Sequence, residues 1–599
     1  MPLITFLPEN VTVELPEGAL LLEGARLAGL SVEMPCGGKG TCGKCRVRII
    51  AGAADGKDES VLICQTKVPH GPVTVELPKA ASRMDGQFEQ SPGDLTQYLY
   101  AGGHRPEIHE PFLKSTTLKV AVPALLDGLS DADRFARALL NATRCRAVDL
   151  PLDLLAALPE RLREGGADIR VFFYMENDIV RTVDISSKKA YGAAVDVGTT
   201  TVALWLVDME DCRVITARAA YNDQVECGLD VISRINYAQK FLPELKTRVL
   251  KTINGLLADA CAEAGIDLAG VLCLSIAGNT TMVHLLLGIT PEYIRLAPYT
   301  PAVFQPQVYS AGQVGIFACG NAPVLFAPAV GSYVGGDITA GLLCTSLAAD
   351  ADKTVLFIDI GTNGEMVLGN GEFIFACACS AGPAFEGGGI KHGVRASMGA
   401  IERVKIDAKT GEAKIQTIGG MAPTGVCGSG IISAIAELFR SRIIDSAGKF
   451  MEHEKVIRQG KNAEFALCEG ITISEADIGN FIRAKGAIFS ACQTILGSVG
   501  LTFREVEKIY VAGGFGRFLD LEDARTVGLF PRLPDDKFVF LGNTSVIGAY
   551  LAMVSDERRA KEGDIAGRVT YVDLSNEPGY MDQYMGAQFL PHTDMALFG

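Results

Sequence analysis

AAVDVGTTTVALWLVD at residues 193–208 and VLFIDIGTNGEMVLGN at 355–370 follow one scheme: an apolar strand, an Asp-x-Gly-Thr turn, a second apolar strand. A strand–turn–strand unit that occurs twice, about 160 residues apart, predicts two similar subdomains facing each other. Asp196 and Asp359 each end a strand, which would set both carboxylates at the mouth of a cleft. Gly198 lets the backbone approach phosphate oxygens, and Thr199, Thr200 and Thr201 offer hydroxyl and N–H donors. Gly361, Thr362, Asn363 and Gly364 stand in the same places in the second copy. Two such turns would grip a polyphosphate from both sides. The two acids, the catalytic candidates, would hold Mg²⁺ through waters or position an attacking water. A single Asp-x-Gly is also ordinary turn chemistry, so the weight rests on two copies in matching strand contexts.

Further segments add to that cleft. KIYVAGGFGRF (508–518) is a buried-type strand ending in Gly513 and Gly514, suited to close contact with a flat adenosine. In VCGSGIISAIAELF (426–439), Gly428 and Gly430 precede an apolar helix whose first N–H groups would meet an anion. A plain glycine-tolerant helix entry explains that segment equally well, because Ser433 replaces the third glycine of a dinucleotide fingerprint. Asp337 in GGDIT is a helix N-cap or a phosphate-side acid. Glu386 in GPAFEGG lines the cleft or caps a turn, and Lys485 in RAKGAI faces the adenosine or is solvated. His284 in MVHLLLG reads as a satisfied core histidine.

Of 16 cysteines, four cluster within 29 residues as C-x5-C-x2-C-x18-C: Cys36, Cys42, Cys45 and Cys64. Plant-type ferredoxins use C-x4-C-x2-C with a distant fourth cysteine for a [2Fe–2S] cluster. Gly37, Gly38, Gly40 and Gly43 would let one loop wrap such a cluster and aim N–H groups at its sulfurs. A zinc ribbon needs two C-x2-C knuckles, and Cys64 stands alone. Gly38 to Cys45 also resembles a P-loop, but it ends in Cys rather than Ser or Thr. The other cysteines, Cys377 and Cys379 included, read as small buried side chains.

Strands at 3–7, 11–15, 46–50 and 73–77, with a helix at 17–29, predict a β-grasp domain over residues 1–80. A Pro-, Gly-, Ser- and Gln-bearing linker is expected at 81–115 and a small α+β domain at 116–189. Residues 190–599 then hold the duplicated unit, divided near 330. The chain is acidic, with 70 Asp and Glu against 55 Lys and Arg and a net charge of −15, which argues against a nucleic-acid partner. No apolar run reaches membrane-spanning length, and MPLITFLPEN lacks the basic start of a signal peptide. No membrane partner and a cytoplasmic location are therefore expected.

The order of phosphate loop, second phosphate loop and adenosine turn resembles the actin, sugar-kinase and Hsp70 ATPase superfamily over roughly 190–560. A [2Fe–2S] domain ahead of such an ATPase is similar to the reductive activators of corrinoid proteins. SIAGNTTMVHLLLGI (275–289), SYVGGDITAGLL (332–343), FIDIGTNGEM (357–366), SAGPAFEGGGIKHGVRASMGAI (380–401) and RAKGAI (483–488) extend that resemblance over nearly the whole chain. It implies a multidomain α/β protein: a β-grasp ferredoxin domain, a small α+β middle domain and an actin/Hsp70-like duplicated ATPase domain. It further implies ATP, Mg²⁺ and a [2Fe–2S] cluster as cofactors and one-electron reduction of Co(II) to Co(I) in a corrinoid protein. An external low-potential donor such as ferredoxin or flavodoxin and a homodimer formed through the ATPase domain belong to the same expectation. The activators of 2-hydroxyacyl-CoA dehydratases share the ATPase fold but hold a [4Fe–4S] cluster from within it. Activators of methylamine systems carry C-terminal ferredoxin cysteines, whereas the last cysteine here is Cys492. A redox-sensing, chaperone-like ATPase is the alternative from another class.

Overall fold

The computed structural model describes the chain apart from residues 9, 29, 31–44, 52–58, 78–109, 122, 124–127, 165–167, 187, 349–352, 362, 395, 461, 514–518 and 599. The duplication is present in three dimensions. Tyr191–Val197, Thr201–Asp208 and Val214–Tyr221 form an antiparallel meander. Val271–Gly278 and then Pro323–Phe326 add in parallel beside the first of these strands. In the second lobe Val355–Ile360, Gly364–Gly369 and Ile374–Cys379 repeat the meander. Lys508–Ala512 and Phe538–Gly542 add to it in the same parallel way. A short edge strand completes each six-stranded sheet.

Both faces of each sheet are covered, which is why these strands read as unbroken apolar runs rather than alternating ones. Successive side chains still divide between the faces. Ala193, Val195 and Val197 turn toward the core shared with the long helix Val231–Ala264, while Ala194 turns the other way. Leu356, Ile358 and Ile360 pack beneath the helices Gly428–Arg440 and Glu475–Gly497, while Val355 and Phe357 face inward. The inward faces of both sheets meet one shared layer. It is made by the helices Gly336–Leu342 and Thr544–Val554, which cross between the lobes.

The N-terminal domain is a five-stranded sheet in which Leu3–Leu7 pairs in parallel with Val73–Glu76, with the helix Leu21–Leu27 against it. Its buried Ile4, Phe6, Leu21, Val47 and Val75 belong to a core continuous with that of the first lobe. A separate four-stranded sheet carries the helices Asp131–Thr143 and Leu152–Glu164 over Phe135, Leu139 and Leu158. Its edge strand Lys114–Lys119 begins within the expected linker, because only Leu118 of KSTTLK is buried and the stretch looks polar. No helix among the described residues is long and apolar enough to cross a membrane.

Candidate nucleotide cleft and cluster site

Asp196 and Asp359 occupy corresponding positions, each next to last on the first strand of its meander. The lobes reach across to one another at this level. Asn543 Nδ2 of the second lobe donates to Asp196 Oδ2 at 2.9 Å. Thr200 Oγ1 of the first loop donates to Glu386 Oε2 at 3.2 Å. Glu386 therefore sits where the lobes meet. Asn279, N-cap of the helix Thr280–Leu287, donates to Thr199 Oγ1 at 3.0 Å. Asp337 lies in the first turn of the helix Gly336–Leu342 and takes the Ile338 N–H at 3.0 Å. Gly335, not Asp337, is the cap residue there.

These acids share one electrostatic environment. Burial pushes Asp196 up to about 7, and the charge of Asp337 adds to that. Burial pushes Asp337 up to about 6. Asp359 is pushed up to about 8, by burial first and then by Asp337, Asp196 and Glu386. Glu365, opposite Asp359 in the sheet register, is raised well above the usual carboxylate range by burial and then by Asp337 and Asp359. Desolvation and mutual repulsion both disfavour the ionised forms. Among the described residues no three of these groups stand close enough to ligate a metal ion directly.

The second loop turns tightly, with the Gly361 N–H donating to the Asn363 carbonyl at 2.9 Å, and Gly364 starts the return strand. Gly513 adjoins it with φ +104, and a Cβ there would lie 2.3 Å from the Ile360 carbonyl and 3.4 Å from Asp359 Oδ1. Only a glycine fits both the dihedral and the approach. Thr362 and Gly514 lie outside the described residues.

One expectation changes. Lys485 is fully buried, and its Nζ donates to the Phe589 and Pro591 carbonyls, each at 2.6 Å. It anchors the C-terminal segment instead of facing a nucleotide, and burial lowers it to about 7. Gly428 and Gly430 serve packing: a Cβ on either would come within 2.0 Å of the Phe385 or Ile401 carbonyl. Their helix still opens beside Phe385, the neighbour of Glu386, with no side-chain cap on its N-terminus.

Asn279, Asn543, Glu365 and Arg234 went unassigned from sequence. The two asparagines had a signal. Gly-Asn-Thr-Thr at 278–281 and Gly-Asn-Thr-Ser at 542–545 each join an apolar strand to an apolar helix. Each Asn caps its helix and spends its amide N–H₂ on the first loop or its acid. His284 is a satisfied core histidine, with Nδ1 against the Thr280 carbonyl at 2.7 Å and Nε2 taking the Ala302 N–H at 3.2 Å.

In the N-terminal domain, Cys45 immediately precedes the strand Arg46–Ala51 and Cys64 closely follows Glu59–Leu62. Antiparallel pairing of Arg46 with Leu62 draws the two cysteines together. Their sulfurs are 3.1 Å apart and both side chains are buried. Gln65 Nε2 approaches Cys64 Sγ at 3.8 Å. Two converging thiols beside an amide donor fit half the ligand set of an iron–sulfur cluster. Cys36 and Cys42 lie outside the described residues. Cys377 and Cys379 are buried, and burial raises both thiols well above their usual range.

Two sheets of like topology with buried acids where they meet, behind a β-grasp domain that pairs cysteines, define an iron–sulfur protein fused to an ATPase-type fold. Known proteins carry the class further. Family profiles match as the 2Fe-2S iron-sulfur cluster binding domain over residues 4–69, the RACo linker region over 103–190, the RACo middle region over 191–350, and the C-terminal domain of RACo, the ASKHA domain, over 353–599. A solved structure described as a reductive activator for corrinoid, iron-sulfur protein is 38% identical, with both chains covered in full and a TM-score of 0.76. The corrinoid activation enzyme RamQ of Eubacterium limosum is 29% identical over 600 residues, 96% of each chain. The [Co(II) methylated amine-specific corrinoid protein] reductase of Methanosarcina barkeri is 27% identical over 412 residues, 63% of this chain and 73% of its own. The chain belongs to the family of reductive activators of corrinoid proteins.

Proposed function

We propose that the protein reactivates a corrinoid protein by one-electron reduction of Co(II) to Co(I), driven by ATP and fed by an external low-potential donor such as ferredoxin or flavodoxin. The observation that carries this is the joining of two machines in one chain: an acid-lined cleft bridged between lobes, and a cysteine pair in a domain whose core continues into the first lobe. Cys36, Cys42, Cys45 and Cys64 would hold the [2Fe–2S] cluster, which supplies single electrons near about −400 mV. That is a modest potential for a Co(II)/Co(I) couple, so the nucleotide has work to do. The loops at 198–201 and 361–364 would hold the phosphates, and Gly513 and Gly514 the adenosine. Asp196, Asp337, Asp359 and Glu386 would meet hydrated Mg²⁺ and, in the case of the two strand-end acids, position the attacking water. Closing the lobes on ATP shifts a two-state equilibrium that the partner senses. A homodimer in the cytoplasm is part of this reading, by family resemblance.

The test is direct. Reduced protein is mixed with each of a panel of Co(II) corrinoid proteins, and the visible spectrum is followed with and without ATP. Co(I) appearing only with ATP is expected for the cognate partner. A Cys64→Ala variant should lose cobalt reduction and keep ATP binding. Partner binding with no cobalt reduction across the panel would instead favour a chaperone-like ATPase.

A further inference from the structure

We propose that Arg234 is a positioning residue for the first phosphate loop: from behind, it turns the loop's N–H groups toward the cleft and supplies the buried positive charge that a bound polyphosphate completes. This rests on the nucleotide reading of the cleft.

Three successive carbonyls of the loop are tied to one buried network. The Gly198 carbonyl accepts from Asn222 Nδ2 at 2.9 Å. The Thr199 carbonyl accepts from an Arg234 guanidinium N–H. The Thr200 carbonyl accepts from the Asn222 N–H at 2.9 Å. In a trans peptide the N–H of the next residue points opposite to the carbonyl. Pulling the Gly198 and Thr199 carbonyls inward therefore turns the Thr199 and Thr200 N–H groups outward, the concave donor array that anions occupy.

Arg234 is itself held in place. Its Nε donates to the Gly228 carbonyl at 2.9 Å and its Nη1 to Gln224 Oε1 at 3.1 Å. Gln224 is fixed in turn by donating to the Leu245 carbonyl at 2.9 Å. Asn222, Gln224 and Arg234 are all fully buried. Among the described residues no carboxylate lies within ion-pair distance of Arg234; its partners are neutral. A buried guanidinium with no carboxylate in contact is costly, and the more distant Asp230 offsets only part of that. Among the described residues, the other titratable groups placed here are acids, and each one that ionises repels phosphate. Arg234, bonded to the Thr199 carbonyl, would offset that repulsion where the phosphates would lie.

The two roles predict a charge ladder. Full-length, cluster-loaded protein is titrated calorimetrically with ATP, ADP, AMP and adenosine. Cluster absorption and thermal melting check that each variant is folded. Arg234→Met should weaken ATP by roughly 10- to 100-fold, the range for a lost charged hydrogen-bonding group. ADP should lose less, AMP less again, and adenosine almost nothing. Arg234→Lys keeps the charge but not the fork, and should fall between. Asn222→Asp still accepts the Gln224 N–H but cannot donate to the Gly198 carbonyl, so it should show the same ladder with Arg234 intact. Equal loss for all four ligands, or unchanged ATP affinity, would overturn the proposal. If Arg234→Met does not fold, Arg234→Lys and Asn222→Asp decide by the same criterion. Failure of the nucleotide reading looks different: the unaltered protein would bind none of the four.

Discussion

At the end of its strand, Asp359 is held up to about 8 by burial and by the charges of Asp337, Asp196 and Glu386. Its unfolded value is about 4. The native state thus holds more protons than the unfolded chain between those limits. The stability this group contributes is full below its unfolded pKa and is lost as pH rises through 8. Asp196 acts the same way up to about 7. The nucleotide-free protein should therefore lose stability between about pH 4 and 8 on account of these acids. Asp359→Asn removes one of the repelling charges. It should melt higher than the unaltered protein at pH 8, by about 1 °C for each kcal/mol regained in a chain of this size, and equally at pH 3, below the unfolded pKa, while ATP-dependent cobalt reduction is lost. Melts at the two pH values check this; an unchanged difference between them would remove the acid from the coupled group. If hydrated Mg²⁺ arrives with ATP as proposed, it favours the ionised acids, so binding at pH 7 should release protons. Calorimetry in two buffers of different ionisation enthalpy measures that release, and net uptake would contradict it. Asp196 and Asp359 were legible in sequence because Asp-x-Gly-Thr is a local pattern. Arg234 was not: it touches Thr199, 35 residues away, through helix docking that no local pattern encodes. Lys485 misled for the same reason, since its carbonyl partners lie 104 and 106 residues downstream.

Elements with strong apolar runs were readable, and short polar ones were not. The meanders around 193–208 and 355–370 follow from their patterns, whereas Glu59–Leu62 has four residues, one of them charged. That short strand brings Cys64 to Cys45, so the partnership of the cysteines was readable from spacing but its means were not. The crossing of Gly336–Leu342 and Thr544–Val554 was equally silent in sequence. There a Cβ on Gly548 would lie 2.0 Å from the Ala340 carbonyl and 2.3 Å from its carbon. Backbone cannot yield as a flexible side chain would, so Gly548→Val must push the helices apart. Overpacking of this kind costs about 1–3 kcal/mol, occasionally more. Because these helices form the layer shared by both lobes, the variant should also lose ATP-induced compaction measured by small-angle scattering. Compaction of normal size in a destabilised variant would show that the lobes move about some other element.

Across the whole molecule, the continuity of cores decides which parts travel together. The N-terminal domain shares its core with the first lobe, while the second lobe has its own outer core and meets the first through the crossing helices. If ATP closes the lobes, the cysteine pair should move relative to the second lobe and stay fixed relative to the first. Three exposed positions report this: Ile50 in the N-terminal domain, Lys240 on the long helix of the first lobe, and Ile457 in the second. Labels attached through unnatural amino acids avoid the 16 native cysteines. The 50–457 distance should change on adding Mg²⁺ and ATP, and the 50–240 distance should not. A change in both would mean that the N-terminal domain swings free of the first lobe, and that core continuity does not set its position. A change in neither would mean that the nucleotide acts without moving the lobes, leaving ligand charge at the cleft as its means of reaching the electron path.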